Sequence, residues 1–533
     1  MESAAKKSIP FSVKIKSHLK LRRTVILAAA VAFFLFSVLP ILYMLALSLV
    51  NQQGDLSFEN YRKLLAFDAR QRQLLLNSVV LGFATAFTST VLGVPLGFLL
   101  ARAEFALKNI LRFLLIIPLV IPPYIFALAW VLLFGKTMPG FTYSLFGAVL
   151  VLGLCFYPLP MLATETALRS VDGRMEEAAL LAAPPLRVFW RITMPLISPI
   201  IAASFLIVFV LAAAEFGVPG LLRVRVFTTE IFTAFAALYD FGAATALAVP
   251  SVLITLFATL FAAKSIGNKT LVGSRRGFSA MKLTRGISTI SLLTTAFFIV
   301  LAAVIVPVSA LFYEAIGVRN IENVVLDSGP AIRNSLVLSA IGATLVVVAA
   351  VFLGYARGRA KSEMSWVADV VFVVTFAVPS TIVGVGIIGL WNHSFTDFIY
   401  SSQAIIVIGY LARFIPIGAL ILGGIVRQIP YSIEEAAAMS GAGWLRIFSR
   451  IVVPNLKFGI AGTWIIIFIF TFGELGATLL VAPPGETTLP VRIYTIIANT
   501  PPSEIAALAL LQIAVVVFPL TFLVFWRGQE KKT

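Results

Sequence analysis

Cysteine and histidine are almost missing from this 533-residue chain, which has one cysteine, Cys155, and two histidines, His18 and His393. A single cysteine excludes an intrachain disulfide and any site built on cysteine ligands. Two histidines far apart in sequence argue against a histidine metal centre or a nucleophile–histidine pair. Charge is scarce as well. Asp, Glu, Lys and Arg make up 12% of the residues, about half the ~25% usual in soluble domains. No Gly-x-x-x-x-Gly-Lys-Ser/Thr phosphate loop occurs, so the chain cannot hydrolyse ATP by that route. What is abundant is apolar: 60% hydrophobic residues and a mean hydropathy of +1.00. This balance excludes both a string of soluble domains and a disordered chain. It specifies an all-α polytopic membrane protein.

A bilayer core requires about 20 apolar residues per helix. Twelve such stretches are legible: 24–50, 76–101, 110–134, 142–166, 196–218, 242–263, 288–313, 334–356, 367–391, 402–426, 457–482 and 503–526. The segment 217–242 mixes apolar and polar residues and fits least well. The basic N-terminus resembles the start of a signal peptide, but the apolar run after it is too long for one and lacks a clear cleavage site. It is expected to be a retained first span.

Thirty of the 41 Lys and Arg fall in the N-tail, the loops 102–112, 169–191, 357–361 and 427–457, the linker 264–285 and the C-tail. Ten lie on the opposite side and one, Arg413, inside a span. The positive-inside rule makes the thirty cytoplasmic. A multi-pass protein of the bacterial inner (plasma) membrane with both termini cytoplasmic is expected. The net charge of +17 is then mostly topological, with the lipid bilayer as partner and no nucleic acid.

The chain repeats itself. Residues 77–103 align with 334–360, pairing Asn77 with Asn334, Gly97 with Gly354 and Arg102 with Arg359 at an offset of 257. Pro122 and Pro379 keep that offset, Pro158 and Pro416 are 258 apart, and Glu215 and Glu474 are 259 apart. The chain divides into a first unit (1–265), a linker (266–286) and a second unit (287–533). An even number of spans per unit makes the two repeats parallel, with a translocation path expected between them.

Two matching loops stand out at 171–195 and 430–454, both Ala-rich and both closing on Ile-x-x-Pro. Their Glu-Glu-Ala-Ala stretches open short helices whose acids suit the positive end of the helix dipole. The alanines leave a smooth face that another protein can approach. Gly441 supplies a φ > 0 stop for the second helix. A partnerless helix lying at the membrane surface is the plainer reading of one copy, but the matched pair argues against it.

The pattern Glu-Ala-Ala, three residues, Gly, then Ile-x-x-Pro resembles the EAA loop of permease subunits in binding-protein-dependent ABC importers. The second copy is Glu435, Ala436, Ala437, Gly441, Ile451 and Pro454; the first is Glu177, Ala178, Ala179, Ala183, Ile192 and Pro195. The first copy departs from the pattern, with Ala183 in place of glycine and Pro184-Pro185 following, and its helix is expected to end by proline. Two six-span units in one chain are similar to the fused permeases of ferric-iron, thiamine and aminoethylphosphonate importers. The resemblance implies two parallel six-helix repeats and two coupling helices docking a separate cytoplasmic ATPase, expected in two copies. ATP and magnesium would sit on that ATPase, and this chain would carry no cofactor, metal or catalytic residue of its own. A separate extracytoplasmic substrate-binding protein is implied too. Ferric iron is the expected substrate, with thiamine, phosphonate, polyamine and sulfate as alternatives.

A proton-coupled 6+6 carrier is the competing class, but the loop after the second span lacks the Gly-x-x-x-Asp-Arg-like pattern of major-facilitator carriers. An intramembrane enzyme would need a base that no span supplies. Three charges lie within spans or at their ends: Glu215, Glu474 and Arg413. Such charges face protein or water. Either the glutamates line the path, where a carboxylate pair suits a hard cation, or they bond the backbone of the Gly-containing turns after them, or Glu474 neutralises Arg413. Pro122, Pro123 and Pro379 either kink their spans or are simply tolerated. Asn77 and Asn334 are expected to cap helices, and His393 is expected to be solvated.

Overall fold

The computed structural model describes residues 11–50, 55–65, 68–267, 287–318 and 321–530. The linker at 266–286 lies outside the described residues beyond its first two positions. Among the described residues the fold is helical throughout, apart from an isolated bridge between Val50 and Leu56. Backbone groups in lipid must find partners within their own segment, which leaves helices as the solution for such apolar runs.

Ten helices are long and apolar enough to cross a membrane: Leu21–Leu47, Ala69–Arg102, Leu145–Ser170, Pro185–Ala213, Phe241–Phe261, Thr289–Ala315, Glu322–Gly358, Ala404–Val426, Trp444–Phe472 and Pro502–Thr521. Two bent pairs, Lys108–Val120 with Pro123–Phe134 and Glu363–Ala377 with Ser380–Trp391, bring the number to twelve. Each pair runs from one end of its neighbour to the other. Arg112, early in the first leg, forms an ion pair with Glu165 near the end of span 4, while Trp130 in the second leg packs near Gly147 at its start; in the second pair Asp369 lies 3.5 Å from Arg427 at the end of span 10, while Ile387 lies beside Gly409 near its start. Each pair therefore counts as one broken span, and spans are numbered 1–12 on that basis.

The breaks turn the chain by 93° and 90°. Proline alone does not cause them, since Pro95, Pro250 and Pro416 sit inside unbroken helices. At the breaks two consecutive residues are extended: Ile121 and Pro122 (ψ 129° and 133°), and Val378 and Pro379 (ψ 131° and 140°). Proline pushes the residue before it out of the helical region, and here the chain yields to that push.

Spans 5 and 11 begin earlier than their hydropathy suggests, at Pro185 and Trp444 rather than 196 and 457. Each passes through a π-helical turn, Phe189–Thr193 and Phe448–Val452, before resuming as an α-helix with Pro195 or Pro454 near its start. Both also stop sooner, at Ala213 and Phe472, and the chain then folds into short helices. That folding is why 217–242 reads poorly as a span.

The first span of each repeat packs against the other repeat. Span 1 lies against spans 8, 9 and 10, and span 7 against spans 2 and 3. Small residues permit the closest approach. A Cβ on Gly386 of span 9 would stand 2.3 Å from the carbonyl oxygen of Pro40 in span 1. Ser37 of span 1 donates to the Leu411 carbonyl of span 10 (3.3 Å), and Phe33 meets Phe372 edge-on at 5.0 Å. Neither repeat is therefore complete without the other.

Candidate coupling loops and the turns between the repeats

Both Glu-Ala-Ala stretches form short helices at the same end of the molecule. In the first loop the Asp172 carboxylate accepts from Arg174 N–H at 3.1 Å and the helix runs Gly173–Leu180. It stops before extended Pro184, and Pro185 opens the next helix. In the second loop the helix runs Tyr431–Met439, and Gly441 ends it at φ +82°. Ala442 N–H then bonds back to the Ala437 carbonyl at 3.1 Å, a closure that needs the left-handed residue.

The first glutamate of each Glu-Glu pair is turned inward. Glu176 is fully buried, accepting from Arg102 (2.7 Å) at the end of span 2 and from Thr193 (2.7 Å) in the π-turn. Glu434 is buried likewise, taking Arg359 Nε (2.8 Å) and the Tyr355 hydroxyl (2.8 Å) at the end of span 8. Removing one partner of such a pair leaves an uncompensated buried charge at a cost of about 3–5 kcal/mol. The loops are thus tied to spans 2 and 8 by matched ion pairs. The sequence pairs Arg102 with Arg359, but not with these glutamates. The doubled Glu was the available signal, because an exposed helix start needs only one acid.

Glu177 and Glu435 point outward, as do Ala178 and Ala436, while Ala179 and Ala437 are half-buried. Leu181 (92% exposed) and Met439 (83%) stand beside them in solvent. Each loop so presents acids, alanines and a large apolar side chain on one free face. Pro195 and Pro454 are exposed past the π-turns.

At the other site, the glutamates that close spans 5 and 11 bind backbone. Gly217 N–H donates to Glu215 Oε1 at 3.0 Å. Glu474 takes Ala477 N–H and Thr478 N–H, both at 2.9 Å, together with the Thr478 hydroxyl. The turns meet the span breaks. A Cβ on Gly217 would lie 2.8 Å from Tyr124 Cβ, and one on Gly476 would collide with Ser380 Oγ. A Cβ on Gly473 would lie 2.7 Å from Pro122 of the other repeat. Arg413 on span 10 feels both carboxylates, and its Nη1 has no hydrogen-bond partner. Cys155, its counterpart in the repeat, is buried and feels Glu215. Among the described residues no three His, Cys, Asp or Glu side chains are grouped to hold a metal.

Asn77 and Asn334 are not helix caps, because both lie within spans 2 and 8. Asn77 donates to the Arg225 carbonyl (2.9 Å) and Asn334 to Glu486 (3.1 Å). The serine after each, Ser78 or Ser335, accepts from Phe227 N–H (3.0 Å) or Leu489 N–H (2.6 Å). These Asn-Ser pairs pin the folded segments that follow the glutamate turns. His393 is exposed.

The family model for the binding-protein-dependent transport system inner membrane component matches this chain twice, at residues 93–266 and 346–527. The Fe(3+)-transport system permease protein FbpB 2 of Haemophilus influenzae is 26% identical over 437 residues, covering 81% of this chain and 85% of that protein. The ferric transport system permease protein FbpB of Actinobacillus pleuropneumoniae is 26% identical over 72% of this chain and 61% of its own length. The molybdenum transport system permease protein ModB of Mycobacterium tuberculosis is 34% identical over 155 residues, 26% of this chain and 59% of its own.

Proposed function

The chain belongs to the inner membrane components of binding-protein-dependent transport systems, with two permease units fused in one polypeptide, and from that membership we propose how it works. It forms the translocation path of an ATP-driven importer and docks a separate ATPase through the helices Gly173–Leu180 and Tyr431–Met439. The observation that carries this reading is the pair of buried ties, Arg102–Glu176 and Arg359–Glu434. A loop that merely rested on the membrane would need no buried ion pair to its span. A loop that receives a push from a partner and passes it to spans 2 and 8 needs a rigid joint.

In this reading the loop end is cytoplasmic, as the basic residues there indicate. Two ATPase copies hold ATP and magnesium, one beneath each loop, and a binding protein delivers substrate to the opposite face. Ferric iron is the proposed substrate, supported by relatives named for it over most of this chain. The turns at Glu215 and Glu474, with Arg413, stand where the repeats meet and border the proposed path.

Glu435→Lys tests the docking. It reverses charge on an exposed surface, so the protein should reach the membrane normally while uptake of radioactive iron fails. Normal uptake in that variant would count against docking at this loop.

A further inference from the structure

Beside each coupling loop lies a second charge cluster, built from different residue types and sharing two repeat positions, 112 with 369 and 169 with 427. In the first unit Glu165 of span 4, 1% exposed, accepts from Arg169 (2.8 Å) on its own span and lies 3.2 Å from Arg112 on the first leg of span 3. In the second unit the carboxylate has changed helix. Asp369, on the first leg of span 9, bonds Arg357 of span 8 and lies 3.5 Å from Arg427 of span 10. At the repeat offsets of 257 and 258, Asp369 stands at the place of Arg112, Arg427 at that of Arg169 and Gly423 at that of Glu165. Gly423 leaves room for the Arg357 guanidinium, since a Cβ there would lie 2.7 Å from Arg357 Nη1. Arg357 in turn donates to the Leu420 carbonyl at 3.1 Å.

The residues have been exchanged, yet in both units a carboxylate between two arginines joins the first leg of the broken span to the span that enters the coupling loop. Arg169 and Arg427 lie just before the two loops. The other ends of these legs are the breaks at Pro122 and Pro379, which pack against the glycines of the glutamate turns. The geometry points to Arg112, Glu165 and Arg169, with Arg357, Asp369 and Arg427, as positioning residues. They fasten the legs Lys108–Val120 and Glu363–Ala377 to the coupling loops, so that each leg moves with its loop as one lever toward the turns between the repeats. This inference rests on the proposed docking of an ATPase, but the joint itself is a property of this chain.

The test places spin labels at Ile110, on the first leg, and Leu186, past the coupling helix, both exposed. Cys155 is buried and does not compete for the label. Distances are read in the full chain, alone and with its co-purified ATPase, without nucleotide and trapped with ATP and vanadate. The expected result is one narrow distance population that nucleotide leaves in place. Glu165→Leu should lose that narrow population, and the exchange Arg112→Asp with Glu165→Arg, which moves the carboxylate to the leg and keeps it between two arginines, should restore it. A distance that shifts with nucleotide in the unaltered chain, or stays narrow in Glu165→Leu, would overturn the lever. If no ATPase co-purifies, the docking proposal fails, while the labels in the chain alone still decide whether the clamp is rigid. Should Glu165→Leu fail to fold, Arg112→Gln, altering the more exposed partner, gives the same reading.

Discussion

Single residues at the two sites have roles that differ by what their partners leave free. Glu474 accepts two backbone N–H groups and a hydroxyl; a glutamine there turns an amide nitrogen toward donors. An unsatisfied buried group costs about 1–3 kcal/mol. Glu474→Gln should therefore lower the unfolding temperature in detergent more than Glu215→Gln, whose carboxylate is less buried. If both variants transport normally at normal membrane levels, neither carboxylate serves a cation path. At the coupling loops Glu176→Gln should destabilise the chain markedly, while Arg102→Leu with Glu176→Leu should recover much of that loss, because removing both charges leaves none stranded. Thermal unfolding of the single and double variants checks this. The motif residues Glu177 and Glu435 were legible because a repeated pattern marks them. Glu176 and Glu434 were not, since burial is decided by Arg102 and Arg359, more than seventy positions away in sequence.

Helices and turns add predictions of their own. Gly441 sits at φ +82° with open space where a Cβ would point. Gly441→Ala should cost roughly 1–2 kcal/mol of left-handed strain, shift the end of the second coupling helix and weaken transport, with little effect on expression. The corresponding Ala183→Gly should change little, because Pro184 and Pro185 already stop the first helix; an uptake assay on the two variants compares them. Hydropathy located the apolar middle of every span, each bent pair counted as one, but misplaced the starts of span 8, whose helix already runs from Ile321, and of spans 5 and 11. The first turns of spans 5 and 11 carry Arg187, Arg191, Arg446 and Arg450, whose charge hides a helix that lies outside the apolar window. The breaks at Pro122 and Pro379 were visible as prolines, but seven other prolines inside helices look the same in sequence. What distinguishes the breaks is the glycine turn packed against them, a contact between distant segments.

For the whole molecule the sequence predicts two parallel repeats and leaves their exchange of first spans unread, because apolar helices in lipid carry no strong pattern for which neighbour they choose. Gly386→Val tests that exchange. Its side chain would run into Pro40, and overpacking of this kind costs about 1–3 kcal/mol. The variant should unfold at lower temperature and expose span 1 to protease. The central claim, that this permease drives transport through ATPases held at two loops, is tested most directly by native mass spectrometry of the complex purified in gentle detergent. The account predicts two ATPase copies per chain, lost when Glu177→Lys and Glu435→Lys are combined. A chain that transports in liposomes with no ATPase bound would contradict it.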